Sequence, residues 1–287
     1  MKKLILFFFI AVLSLNAQSM LPHPDKQTPE FKKYLIDHTI FTIWETQANY
    51  TDSFEGTGNP LSESFFEFDG NGNLLKAIYK AAQAQIVSVD SFVYDKKFIL
   101  RSVISYDLVN EFAEGPGVKT FRELSYNKEG RISKIKIHTI SGSKREEMGS
   151  YEYEYNPDGT IKKVSDKTTY NIYGEAMPQT DYFYKNGKLV KEESAVRIAE
   201  HEYDSFGRII MTVEALEGND GSTTKYFYDD EGKLVEKTFT GLMTSGTSLY
   251  IYDFEGKLKA VQDSFILSPG AAPSLTQTEY FYNFQME

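Results

Sequence analysis

From Ser62 onward the chain alternates. Tyr151, Tyr153 and Tyr155 are interleaved with Glu152 and Glu154, and Ile135 and Ile137 with Lys134 and Lys136. A period of two marks a strand with one face buried and one face wet. Further along, Tyr226 and Tyr228 flank Phe227, and Leu249 and Ile251 interleave with Tyr250 and Tyr252. These strands are apolar on both faces, so cover is expected on both sides of the sheet there. One earlier stretch has a different period. Thr28 precedes Pro29, and Phe31, Tyr34, Leu35 and His38 then recur at i, i+3, i+4 and i+7. A capping residue, a proline at the first helical position and that spacing predict a short helix over 29–37, covering one end of the sheet. Thr39 to Trp44 is β-rich, and the lone Trp44 is expected in the core.

The strands are punctuated by one recurring heptad. It reads Tyr203-Asp204-Ser205-Phe206-Gly207-Arg208-Ile209, then Tyr228-Asp229-Asp230-Glu231-Gly232-Lys233-Leu234, then Tyr252-Asp253-Phe254-Glu255-Gly256-Lys257-Leu258. An aromatic residue ends a strand, Asp accepts from backbone N–H groups beyond it, Gly takes a positive φ, and an aliphatic residue restarts the next strand. The unit is therefore a β-hairpin with a tight polar tip. Looser copies are anchored at Phe68, Tyr94, Tyr126, Tyr155 and Tyr184, and Tyr282-Asn283 reads as half a unit that stops. Gly72, Gly130, Gly159, Gly187, Gly207, Gly232 and Gly256 are the expected turn glycines; the copy at Tyr94 has lost its own. The anchors lie 19 to 32 residues apart, a repeat of variable period. Nine anchors imply an all-β antiparallel meander of about 16–18 strands, which twist would curl into a partial or closed barrel. Its tight turns share one end. Longer Gly/Ser-rich connections at 114–118, 141–150, 217–223, 240–248 and 268–274 share the other.

The heptads at 203, 228 and 252 resemble the YD repeat of RHS-type proteins, named for the Tyr-Asp pair. The resemblance covers roughly residues 65–287, with three full matches. It implies a long curling sheet of hairpins, an exported or surface-bound protein and, in some members, carbohydrate binding. The chain departs from the family in its longer, irregular spacing and in being too short for a closed shell. It also shows neither a core-terminating motif nor a toxin domain after the repeats. Small secreted proteins with YD-like hairpins are the nearer likeness.

Composition adds a compartment. Lys2 and Lys3 precede an apolar run from Leu4 to Leu15, and Ala17 offers a small residue for cleavage, so residues 1–17 read as a signal peptide. Residues 18–61 form an N-terminal extension with the helix and first strand, and 62–287 the hairpin domain. Export to the periplasm, cell surface or medium follows. There is no Cys, so neither a Cys-linked lipid, a disulfide nor a thiolate metal site is available. No second apolar run has the length of a membrane helix, and no transmembrane span is expected after signal removal. Removing the two leader lysines deepens the net charge from −10 to −12, which disfavours nucleic acid and anionic lipid.

Candidate chemistry is sparse. Asp69-Gly70-Asn71-Gly72-Asn73 begins like a calcium loop, but Leu74 and Lys80 stand where Gly and Glu are needed, so a hairpin tip is expected and no metal or cofactor. None of His23, His38, His138 and His201 has a metal-ligand spacing, and no nucleophile elbow or phosphate loop occurs. Tyrosines remain, 20 in all. Tyr182, Tyr226 and Tyr250 are the candidates to line an exposed aromatic groove for carbohydrate or another envelope protein, against a plain core role. The reading is a non-catalytic binding or structural module of the envelope. The alternative is an outer-membrane barrel or envelope-assembly component, and a glycan-active enzyme with a carboxylate pair comes third. Against the barrel, residues 189–203, read as one strand, put Lys191, Glu193 and Arg197 on one face and Glu192, Glu200 and Glu202 on the other.

Overall fold

The computed structural model describes residues 21–49, 60–81, 86–107, 118–168, 179–216, 219–268 and 270–284. The expected signal peptide lies outside them, as does most of the connection at 114–118. A 3-10 turn at Pro24–Gln27 leads into α1 (Pro29–Asp37). The strands follow: β1 (Ile40–Asn49), β2 (Ser62–Phe68), β3 (Leu74–Ala81), β4 (Ile86–Tyr94), β5 (Leu100–Asp107), β6 (Lys119–Tyr126), β7 (Ile132–Ser141), β8 (Lys144–Tyr155) and β9 (Ile161–Asp166). The second half holds β10 (Thr180–Lys185), β11 (Lys188–Glu193), β12 (Arg197–Tyr203), β13 (Ile209–Leu216), β14 (Asn219–Tyr228), β15 (Leu234–Thr240), β16 (Ser245–Tyr252), β17 (Leu258–Ile266) and β18 (Ser274–Phe284).

Each strand pairs antiparallel with its sequence neighbours, and β18 pairs back onto β1, so one 18-stranded sheet closes on itself. The narrowest join is β9 to β10, two residue pairs long. Closure corrects two expectations. The hairpin units do not form an open YD-type array; they are consecutive staves of a single barrel. The absence of a transmembrane span also falls. No helix among the described residues is long and apolar enough to cross a membrane, but a closed barrel leaves no unpaired strand edge and can cross with its strands.

The heptad explains the staves. At each of eight tight turns the register shifts by one residue beside the aromatic anchor, as between Glu202 and Tyr203 or between Phe227 and Tyr228. Asp204 shows the tip chemistry: its Oδ1 accepts from the N–H groups of Phe206 and Arg208, both at 2.9 Å. Asp69, Asp95, Asn127 and Asp253 repeat that two-fold acceptance. Phe98 occupies the position of the lost glycine and is forced to φ 58, yet the same turn forms. The half unit at Tyr282 is completed by β1: Tyr282 stands opposite Ile43, so the two ends of the barrel strand sequence make the ninth join.

In seven units the tyrosine ties its hairpin to the previous one. Tyr94 Oη donates to the Leu74 carbonyl (3.0 Å), Tyr126 to Leu100 (2.6 Å), Tyr155 to Ile132 (2.6 Å) and Tyr203 to Leu189 (2.6 Å). Tyr228 continues to Ile209 (2.5 Å), Tyr252 to Leu234 (2.9 Å) and Tyr282 to Leu258 (2.9 Å). Each such bond contributes about 0.5–1.5 kcal/mol. The basic residue of one unit covers the next tyrosine ring: Arg131 over Tyr155, Lys188 over Tyr203, Arg208 over Tyr228 and Lys233 over Tyr252, at 4.5 to 5.5 Å. The recurring tyrosine, turn acceptor and basic residue of the heptad thus each have a contact.

Directly paired residues share a face, so buried Ile43, Phe66 and Ala77 mark the inner wall. Trp44 therefore points outward and is 40% exposed, not in the core as expected. Residues 189–203 are not one strand. The chain reverses between Glu193 and Arg197, which places Lys191, Glu193, Glu200 and Glu202 outside and Glu192, Arg197 and His201 inside. The expected loop at 141–150 is a tight hairpin followed by strand, since β8 begins at Lys144.

Candidate functional site

The inner wall and the segment threaded into it make the site. Residues 21–37 are not part of the wall. Thr28 caps α1 by accepting from Phe31 N–H (3.1 Å), and Leu21, Tyr34 and Leu35 are buried against Ile40, Phe66, Phe68 and Leu74. Burying such side chains stabilises the seat by about 1.5–3 kcal/mol each. Lys32 Nζ donates to Asn73 Oδ1 (2.8 Å), and a Cβ at Gly72 would come within 2.8 Å of the Lys32 carbonyl. The stretch that begins like a calcium loop is therefore the floor on which α1 rests.

Higher in the lumen, His23 meets Asp90 of β4 at 3.1 Å. Lys26 lies 2.7 Å from Glu45 of β1 and 3.0 Å from Asp25, within 6 Å of the rings of Phe31, Phe66 and Tyr280. Burial alone would lower the Lys26 pKa, but the Glu45 and Asp25 carboxylates outweigh it and hold the ammonium above its ordinary range. The segment is thus pinned at the turn end of the barrel by apolar packing and by a buried cation.

On the far side of the lumen a polar cluster spans β11 to β13. His201 places Nδ1 3.1 Å from Thr212 Oγ1 and Nε2 3.2 Å from Glu192 Oε1. Arg197 bridges Glu192 (3.3 Å) and Glu214 (2.5 Å). Sequence spacing hid this cluster, because the reversal after Glu193 and the pairing of β12 with β13 bring its members together. Above it, Glu214, Leu216, Ser222, Phe239, Leu242 and Met243 line an open cleft of about 350 Å³ at the loop-end mouth. That volume is within the range of small-ligand pockets. Leu242 and Met243 are exposed there.

Tyr182, Tyr226 and Tyr250 all belong to the inner wall. Tyr182 is buried opposite Glu192, next to the polar cluster. Tyr226 and Tyr250 are brought near each other across β15, where Lys237 faces Tyr226, and Tyr250 faces Val261. Tyr182 lies on β10, four strands from Tyr226 and six from Tyr250. The seven turn glycines all have positive φ, from 69° to 93°. Among the described residues no group of three metal-capable side chains occurs. Glu192 and Glu214 are both engaged by Arg197, so neither stands as a free acid of a hydrolytic pair.

No family model matches the chain, and no curated protein does. Among solved structures, a porin-like protein from Bacteroides uniformis ATCC 8492 aligns over 86% of this chain and 97% of its own, at 9% identity and a TM-score of 0.46. A TcdB2-TccC3-TEV structure aligns over 80% of this chain but only 15% of its own, at 12% identity and a TM-score of 0.36. Both similarities are too distant to carry an argument.

Proposed function

We propose that this protein is a non-catalytic β-barrel of the cell envelope, of the outer-membrane barrel kind. Closure carries the reading: all 18 strands are paired on both sides, which is the condition for strands to sit in a bilayer. The export signal read in residues 1–17 supports the compartment. An 18-stranded wall is wide enough for an aqueous channel, but here residues 21–37 and the tyrosine ring fill the turn end. The described residues therefore fill the turn end of the barrel, and the 350 Å³ cleft at the loop end is suited to holding a ligand or partner segment.

A second reading is a binding module of the envelope whose wall is covered by protein. One observation favours it. The outer face of β7 to β12 carries Lys134–Glu152 (3.0 Å), Lys136–Glu147 (2.9 Å) and Lys191–Glu193 (2.9 Å) pairs. A lipid-facing Lys costs about 2–4 kcal/mol at the bilayer midplane. Fractionation of expressing cells tests both readings. Retention in carbonate-washed outer membranes, with release only by detergent, is expected for the membrane barrel. Recovery of the folded chain in the wash without detergent would refute it and leave the binding module.

A further inference from the structure

The outer wall has two unlike sectors. Opposite the charged pairs of β7 to β12, one rung crosses six adjacent strands without a polar gap: Phe281, Trp44, Phe65, Ile78, Val89 and Tyr106 are successive cross-strand partners on β18, β1, β2, β3, β4 and β5. Phe281 is 53% and Trp44 40% exposed. The rungs above and below on β2 and β3 are charged, with Glu63 opposite Lys80 and Glu67 opposite Lys76. A small groove lies between Trp44, Phe65, Ile78 and Lys80, with the Lys80 ammonium 5.5 Å from the indole centroid.

We propose that this sector docks a second copy of the chain about a two-fold axis running along the strands between β2 and β3. The pattern is self-complementary about that line. The axis sets Phe65 against the other copy's Ile78, Trp44 against Val89 and Phe281 against Tyr106, so every apolar side chain meets an apolar one. It also sets Glu63 against Lys80 and Glu67 against Lys76, so these four charges each meet an opposite one. An isologous contact requires this matching of a patch to itself, and a lipid-facing or water-facing wall does not. Aromatic residues at the centre and charges at the rim match the anatomy of protein interfaces. Six strands span about 24 Å at the usual strand spacing. That is a small contact between two convex walls, so the dimer is expected to be weak, with a Kd on the order of micromolar. Closure removes strand edges as an alternative means of pairing. Barrel strands tilt about 35–45° from the barrel axis, so this two-fold sets the two barrel axes about 70–90° apart, which one bilayer does not admit. The inference therefore rests on the reading in which the wall meets water, and it fails separately from that reading.

The test is sedimentation velocity of residues 18–287 across a concentration series in detergent-free buffer. A concentration-dependent dimer is expected, with a blue shift of Trp44 emission on the same concentration axis, since the chain has one Trp. Trp44→Glu and Glu63→Lys should each weaken it by about tenfold or more. The double variant Glu63→Lys with Lys80→Glu should restore it, because the swapped charges again face their opposites. Circular dichroism confirms the fold of each variant, and the charge swaps decide the matter if Trp44→Glu misfolds. A monomer at every concentration, a dimer indifferent to Glu63→Lys, or a double variant that stays monomeric would overturn the proposal. A blue shift with phosphatidylcholine vesicles but no dimer would overturn it in favour of lipid.

Discussion

Alanine placed at three glycines should rank in an order that the backbone dictates. Gly70 has ordinary φ and open space around its missing Cβ. Gly207 sits at φ +90, where an added Cβ would meet only the flexible end of Lys188, at 3.1 Å. Gly149 sits at φ +103 in the bulge of β8, where the Cβ would lie 2.1 Å from the Lys167 carbonyl oxygen and 2.6 Å from Thr168 Cα. At Gly70 alanine removes unfolded-state freedom without native strain, so stability should hold or rise by about 0.4–1 kcal/mol. At Gly207 the left-handed backbone costs about 1–2 kcal/mol. The unfolded-state gain offsets part of that, for a net loss of about 1 kcal/mol. At Gly149 the same backbone cost adds to overpacking against atoms that cannot swing aside, another 1–3 kcal/mol or so, for a loss of about 3 kcal/mol. Urea denaturation followed by tryptophan emission and far-ultraviolet circular dichroism measures all three, or unfolding rates do if refolding is incomplete. A Gly149→Ala variant as stable as Gly207→Ala would refute the reasoning, because it would mean that β8 and the chain after β9 do not approach as closely as the structure shows.

Two further outcomes follow from the charges. Lys26→Ala should destabilise the barrel by about 3–5 kcal/mol by leaving Glu45 buried and uncompensated, whereas Lys33→Ala, on the exposed side of α1, should change little; equal effects in thermal melts would show that residues 21–37 are not pinned through Lys26. Acid should loosen the turns first. Burial would raise the Asp204 pKa, but the N–H groups of Arg208 and Phe206 and the Arg208 side chain outweigh it and hold it below its ordinary value. A depressed carboxyl contributes stability above its unfolded value, about 3.8–3.9, and loses it as pH falls through the folded value. Asp204→Asn should therefore be less stable than the natural chain at pH 7 and converge with it at the acid end of a pH series of urea midpoints. A constant gap across the series would show that the turn does not depend on the charge.

Much of this was legible locally. The alternation of Tyr151, Tyr153 and Tyr155 with glutamates marks β8, Thr28-Pro29 starts the helix where it is found, and the heptad and its looser copies mark eight of the turns. The hidden features share a cause. The reversal between Glu193 and Arg197 carries no glycine and no heptad, so a single missed turn inverted the faces of residues 197–203 and concealed the meeting of His201 with Glu192. Trp44 was misplaced for a related reason: β1 alternates, but alternation alone does not say which of its faces is inward.

The sequence by itself determined strand period, hairpin tips and the order of the staves, because those depend on residues a few positions apart. Only the tertiary structure decided that Tyr282 finds Ile43 and closes the barrel, that residues 21–37 enter the lumen, and that tyrosines line the inside while Trp44 and Phe281 face out. Closure joins residues some 240 positions apart. No local propensity encodes it; it follows from the cumulative twist and register of all the strands together.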